Sequence, residues 1–124
     1  MSGLSVNKYI YNILINDEII KGIVDNKIYP LVAEESTTFP FVIFKKNNVN
    51  TEYSKDGSVR DSVSFSITAI AVDYITTVDI AERVRELLEC KRSEYFNKIT
   101  LEGVIEDYID NAYVQELTFT AKIK

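Results

Sequence analysis

The segment from Ser58 to Cys90 constrains the fold most, because its hydrophobic period changes once, from that of a strand to that of a helix. Between Ser62 and Ala71, apolar side chains alternate with Ser and Thr, as in a strand with one buried face. Thr76 or Thr77 can then cap a helix. The pattern predicts a long strand that leads into an amphipathic helix, with the inward residues Val63, Phe65, Ile67, Ala69, Ala71, Val78, Ala81, Val84, Leu87 and Leu88.

The segments on either side predict the rest of an α+β domain. The predicted elements are a helix from Val6 to Asn16, a short turn at Ile19–Ile23, a short strand within Val24–Tyr29, a strand at Phe39–Phe44, a strand at Ile99–Ile105 with a bulge near Gly103, and a last strand at Tyr113–Ile123. We therefore expect a single domain over residues 1–124. It would hold a mostly antiparallel sheet of four to five strands covered by two helices, in the order α-β-β-β-α-β-β.

The stretch from Asn47 to Gly57 shows no periodicity and is rich in Asn, Ser and Asp. It is longer than an ordinary hairpin connection. We interpret it as a loop that is mobile in the isolated protein and becomes ordered against a partner. The predicted interface residues in it are Asn48, Asn50, Glu52, Tyr53, Lys55 and Asp56.

Composition excludes several classes of function. The net charge of −5 argues against a general nucleic-acid binder, which needs a basic face for phosphates. The absence of histidine removes the commonest general base and metal ligand. The single cysteine, Cys90, is expected to be a half-buried packing residue. Because the sequence shows neither a signal peptide nor a membrane-spanning run, we expect a soluble protein that is made in a cytoplasm and has no membrane contact. Because no catalytic motif is found, we expect it not to be an enzyme and to have no catalytic residue, cofactor or metal.

The densest acidic group comprises Glu102, Glu106, Asp107 and Asp110. Such a group is compatible with a carboxylate pair or a divalent-cation site, but the preferred interpretation is the solvated end of a hairpin. A metal-dependent enzyme that uses the carboxylates from Glu102 to Asp110 therefore stays open as an alternative. A monomeric peptide- or ligand-binding module is a second alternative.

An ordered set of short stretches resembles a known family. They are Lys27–Pro30, Phe39–Phe44, the strand Val63–Thr68, the helix Ile80–Leu88 with Ala81–Arg85 at its centre, the turn residues Asp107 and Tyr108, and Leu117–Phe119. In this order they resemble the tail-completion, or tail-terminator, proteins of long-tailed bacteriophages and prophages, among them the minor tail protein U of phage lambda. The resemblance runs from about Val6 to Ile123.

This resemblance implies a structural virion protein without a catalytic motif. In the family a ring, typically a hexamer, caps the head-proximal end of the tail tube, ends its growth and offers a surface for head-tail joining. The implied partners are other copies of the chain, the major tail tube protein and the head-tail connector proteins.

Double-stranded DNA would pass through such a ring without specific binding. Because the duplex is densely negative, an acidic channel would repel it and let it slide. On this argument Glu102, Glu106, Asp107 and Asp110 are predicted to face the channel.

Overall fold

The computed structural model describes residues 2–124 as three α-helices and a five-stranded sheet. After a single 3-10 turn at Gly3–Ser5, the elements are α1 (Val6–Ile15), α2 (Glu18–Val24), β1 (Ile28–Pro30), β2 (Phe41–Tyr53), β3 (Val59–Ala71), α3 (Tyr74–Leu88), β4 (Thr100–Ile109) and β5 (Ala112–Lys122). The predicted α+β class and the predicted order of elements are confirmed, and the short turn predicted at Ile19–Ile23 is the helix α2.

The strands are arranged in the order β1-β2-β3-β5-β4. β1 runs parallel to β2, and every other neighbouring pair is antiparallel. β3 therefore lies at the centre, as its length and alternation predict. The register of β4 against β5 shifts between Leu101 and Gly103, which places a bulge beside Gly103 as expected.

The core lies between the helices and the inner face of β3 and β5. All five inward residues predicted for β3 are buried, and so are Leu117, Phe119 and Ala121 of β5. The rings of Phe65 and Phe119 stack with centroids 5.4 Å apart. In α3, Val84 and Leu88 are buried as predicted, whereas Val78, Ala81 and Leu87 are only partly buried.

The start and the buried face of α3 differ from the prediction. Asp73, not Thr76 or Thr77, caps the helix, because its carboxylate accepts hydrogen bonds from the Thr76 amide at 3.1 Å and the Thr76 hydroxyl at 2.9 Å. With the earlier start, Thr77 and Ile80 join Val84 and Leu88 on the buried face. The Thr77 hydroxyl donates to the Tyr74 carbonyl, so its burial leaves no polar group unpaired.

The predicted loop at Asn47–Gly57 is wrong over most of its length. Residues up to Tyr53 continue β2 and pair with β3, from Asn48 opposite Ser64 to Tyr53 opposite Val59. Only Ser54–Ser58 form the connecting turn. The sequence shows no periodicity here because backbone hydrogen bonds hold the two strands together, and most of these side chains are exposed.

Of two smaller predictions, one is confirmed and one is wrong. The short strand predicted within Val24–Tyr29 is β1, which begins only at Ile28 because Val24 still belongs to α2. Cys90 is exposed, not half-buried, because it follows the end of α3 with a positive φ of 63° and leaves the apolar face of the helix.

Candidate assembly interface

The edge strand β4 is the most exposed regular element of the described chain. Every residue of β4 except Leu101 is exposed. Four of these are large and apolar: Val104 is 48% exposed, Ile105 65%, Tyr108 56% and Ile109 51%. An edge strand with free backbone groups and apolar side chains is a template for pairing with another chain. β4 is therefore the primary candidate for an interface.

The apolar residues of β4 occur as the doublets Val104-Ile105 and Tyr108-Ile109. Because neighbouring side chains of a strand point to opposite faces, each doublet places one apolar side chain on either face. Val104 and Tyr108 lie opposite Leu117 and Tyr113 on the helix side, whereas the other member of each doublet points away from the helices. These residues were not among the interface residues predicted from the sequence. The two doublets could have indicated them, because each requires one apolar side chain on either face of the strand.

A carboxylate and a phenol join β4 to the start of α3. Glu106 accepts hydrogen bonds from the Tyr74 hydroxyl at 2.8 Å and from the Gln115 side-chain amide at 2.9 Å. The amide of Gln115 and the hydroxyl of Tyr74 hold the pKa of Glu106 below its usual value. The same carboxylate raises the pKa of Tyr74. Glu106 is thus a bonded, charged group that fixes β4 against the helix.

Two open hollows lie beside this contact, and both have Tyr74 and Glu106 in their lining. The first, between α3 and β4, has a volume of about 270 Å³ and a partly apolar lining that includes Val78, Ala81 and Val104. The second, of about 210 Å³, is lined by Glu106, Asp107 and three tyrosines, Tyr74, Tyr108 and Tyr113. The ring centroids of Tyr108 and Tyr113 are 4.8 Å apart. The second hollow offers aromatic surface next to the β4 edge.

The second candidate element is the arm, which we define as residues 45–66, the half of the β2–β3 hairpin that ends in the Ser54–Ser58 turn. Toward its turn, Asp61 accepts hydrogen bonds from the Gly3 amide and the Thr51 hydroxyl, each at 2.8 Å, and both lower its pKa. At its base, Lys46 Nζ donates to the Leu4 carbonyl at 2.8 Å. The N-terminal residues therefore hold the arm at two points along its length.

The six predicted interface residues all lie on the arm. Asn48, Asn50, Glu52 and Tyr53 belong to β2, whereas Lys55 and Asp56 form the turn, and all six are exposed. Asp56 accepts hydrogen bonds from the hydroxyls of Ser54 and Ser58 and from the Ser58 amide. These bonds lower the pKa of Asp56 to about 2. Exposure makes the six residues available to a partner, and their role stays a prediction.

The four predicted channel-facing carboxylates lie on β4 or its turn, but they do not converge. Glu106 points to the helix side, where it meets Gln115, whereas the next residue, Asp107, points to the opposite face. Asp110 lies in the two-residue turn to β5, with a φ of 50°. Within residues 2–124, no group of three Asp, Glu, Cys or His side chains could hold a metal ion.

The outer face of the sheet carries a third surface. At the end near the β4–β5 turn, a concave surface of about 380 Å³ is lined mainly by Phe39, Phe41, Ile70, Ile109, Ala112 and Val114. Phe39 and Phe41 stack with centroids 5.6 Å apart, next to the cis peptide bond between Phe39 and Pro40. Among the described helices, none is long and apolar enough to cross a membrane.

Comparison with known proteins identifies the fold. No family model matches the chain, and no curated protein matches it in sequence. In structure, it is similar to a chain in the virion of a native gene transfer agent (GTA) particle, with a TM-score of 0.78 and 18% sequence identity. The match covers 92% of this chain and 90% of that chain. The two chains therefore share a fold over almost their whole length.

Proposed function

We propose that this protein is a structural component of a phage-like virion and acts as a tail terminator. Copies of the chain form a ring, with six as the expected number, at the head-proximal end of the tail tube. The ring ends tube growth and provides the surface for head-tail joining. Its partners are the major tail tube protein, the head-tail connector proteins and other copies of itself.

The observation that carries this proposal is the likeness in fold to a chain of the GTA virion, which extends over nine-tenths of both chains. Within a virion, the position at the end of the tail is supported by the sequence stretches, which resemble those of the tail-terminator family in the same order. The exposed surfaces support assembly, because the β4 edge and the arm offer unpaired backbone groups to a neighbour.

The two hairpin turns lie at opposite ends of the sheet. β3 and β5 are antiparallel, with Ser62 opposite Lys122 and Ala71 opposite Tyr113. The arm turn therefore lies at the Val59 end of β3, and the β4–β5 turn lies at the Ala71 end. At about 3.3 Å per residue, the 13 residues of β3 separate the two turns by roughly 40 Å. Such a subunit can contact one component at each end, as a terminator between tube and connector must.

Electron microscopy of the protein mixed with tail tubes tests the proposal. Cys90 is a single exposed thiol, so a maleimide-linked gold particle can mark each copy. We expect gold at one end of each tube only, and tubes that stop growing when the protein is added during assembly. Uniform decoration, or no binding and no effect on tube length, would overturn the proposal.

A labelled Val84→Asp chain provides the control, because disruption of the core should abolish capping without changing the label. Excess unlabelled protein should displace the gold from tube ends. Both controls separate specific capping from adhesion of the gold particle itself.

A further inference from the structure

Two strand edges of the sheet have no partner strand within residues 2–124. The first is the outer edge of β4, from Thr100 to Ile109. The second is the outer edge of β2, because β1 pairs only with the short stretch from Val42 to Phe44. From Lys45 to Tyr53 the backbone of β2 is therefore open. One molecule thus carries two free edges on opposite sides of a single sheet.

The two free edges differ in charge. Residues 99–121, which include β4 and most of β5, contain five carboxylates and no lysine or arginine. The free edge of β2, residues 45–53, contains Lys45 and Lys46 and one carboxylate, Glu52, which lies near the arm turn. Lys45, opposite Ser66, and Asp107, opposite Val114, both point to the face without helices. The edges are electrostatically complementary.

Electrostatic repulsion disfavours a symmetric dimer, in which the β4 edges of two copies pair with each other. A two-fold pairing of β4 with β4 would bring two acidic strands side by side, and like charges directly opposite each other destabilise a sheet. Pairing of β4 with the β2 edge instead brings the acidic strand against the two lysines at the start of that edge, Lys45 and Lys46. The charges therefore favour a contact between different edges of two copies.

We propose that the free edge of β4 in one copy pairs with the free edge of β2, between Lys45 and Tyr53, in the next copy. The inference rests on the proposed ring and specifies its subunit contact. Since each copy offers one edge of each kind, the contact repeats head to tail. Contacts of this type generate closed rings when the rotation between copies closes.

The strand directions fit such a repeat. β2, β3, β5 and β4 alternate in direction, so β4 runs opposite to β2 within one copy. If neighbouring copies are related by a modest rotation, β4 also runs antiparallel to the β2 edge that it meets. Because β1 covers Val42 to Phe44, the neighbour is displaced along the strands, toward the arm turn.

Apolar side chains would be covered in this contact. Tyr53, which is 79% exposed, lies opposite Val59 on the same face of the sheet as Val104 and Tyr108. With Lys45 near Asp107, the antiparallel direction places Val49, which also faces the helix side, near Val104, and Tyr53 near the start of β4. The pairing therefore covers part of the apolar helix side of β4 and brings the exposed tyrosine of the arm against a second copy.

Cross-linking of single-cysteine chains tests the contact directly. In a Cys90→Ser background, Ile105→Cys marks β4 and Asn50→Cys marks β2, each at an exposed position. With a bismaleimide at high protein concentration, neither chain alone should cross-link, but their mixture should give dimers. A chain with both cysteines should give a ladder of oligomers. Dimers from Ile105→Cys alone, or no product from the mixture, would overturn the proposal.

A charge exchange provides the second measurement. Asp107→Lys or Lys45→Glu alone should weaken association about tenfold at low salt, and the double variant should regain most of that loss. The melting temperatures of the wild type, the two single variants and the double variant should agree, because both residues are exposed. Association that is unaffected by the single changes, or not regained in the double variant, contradicts the pairing.

The same chains separate this inference from the proposed function. Rings at tube ends without cross-links between β4 and β2 would leave the terminator role standing and refute the contact. Cross-linked oligomers that never bind a tube would support the contact and refute the terminator role. Tube-end rings in which the mixed cysteines cross-link would support both.

Discussion

Arg83 of α3 holds Asp17, the N-cap of α2, through two hydrogen bonds. Its Nε lies 3.0 Å from Asp17 Oδ2, and its Nη2 lies 2.7 Å from Oδ1. The carboxylate also accepts from the Ile20 amide at 3.0 Å, and its side chain is only 8% exposed. One carboxylate thus caps one helix and anchors it to another that lies 66 residues further along the chain.

We predict a graded loss of stability at Asp17. Asp17→Asn keeps a good N-cap but removes the ion pair, whereas Asp17→Ala removes both and should cost about 1 kcal/mol more. Urea denaturation of the three chains at pH 7 measures the difference. Equal stability of the Asn and Ala variants would contradict the capping role.

The pH dependence of stability should reveal the same ion pair. The hydrogen bonds from Arg83 hold the pKa of Asp17 below its usual value. A lowered pKa contributes stability above the unfolded-state value, near 3.9, and that contribution is lost as the pH falls through the folded-state value. The gap in stability between wild type and Asp17→Asn should therefore shrink below about pH 4. A gap that is constant from pH 7 to pH 2.5 would refute the assignment.

Substitution by alanine should lower the stability of the fold at one glycine, Gly3, and raise it at another, Gly22. A Cβ at Gly3 would lie 2.8 Å from Val63 Cγ2 and 2.9 Å from Val49 Cγ1, so Gly3→Ala must displace the N-terminal turn from the arm. We expect a loss of about 1–3 kcal/mol. Gly22 lies within α2 and has no heavy atom within 4 Å of the added Cβ, so Gly22→Ala should stabilise by about 0.5–1 kcal/mol. Thermal melts give the sign of each change.

The buried face of α3 is tested by one charged substitution in its centre. Val84 is fully buried, so Val84→Asp places an unpaired carboxylate in the core and should cost about 4 kcal/mol or more. Ile75→Asp is the matched control, because Ile75 is 60% exposed in the first turn of the same helix, where a carboxylate is favourable. Similar melting temperatures of the two variants would show that Val84 does not lie on the buried face of α3.

Hydrogen exchange distinguishes the paired arm from a free loop. The cross-strand pairs from Asn48 opposite Ser64 to Tyr53 opposite Val59 should slow exchange of the bonded amides in the isolated protein. The turn Ser54–Ser58 should exchange faster. On tail tubes, added protection at Asn48, Asn50 and Tyr53 would support their predicted interface role, and an unchanged pattern would argue against it.

The predicted acidic channel is tested at the β4–β5 turn. Because Glu106 is bonded to Tyr74 and Gln115, and Asp107 lies in the proposed subunit contact, Asp110 in the turn is the better position for charge reversal. Asp110→Lys should slow DNA ejection from normally capped particles, most strongly at low salt. Normal ejection from such particles would exclude the channel position of Asp110. Loss of capping would instead place this residue at a subunit contact.

The sequence determined those features that depend on side-chain periodicity. The alternation from Val63 to Ala71 identified the central strand, because only a strand with one buried face selects every second residue. The periodic stripe at Val84 and Leu88 identified the packed helix in the same way. The class and order of the elements follow from such local patterns.

Only the tertiary structure decided what depends on partners that are distant in sequence. Asn47–Tyr53 form a strand because β3 supplies their backbone hydrogen bonds, and no apolar pattern is needed for that. The adjacent carboxylates Glu106 and Asp107 are separated because the pleat of β4 sends them to opposite faces. β4 becomes an open edge only through the strand order, which the sequence did not specify, so the position of the candidate interface came from the fold.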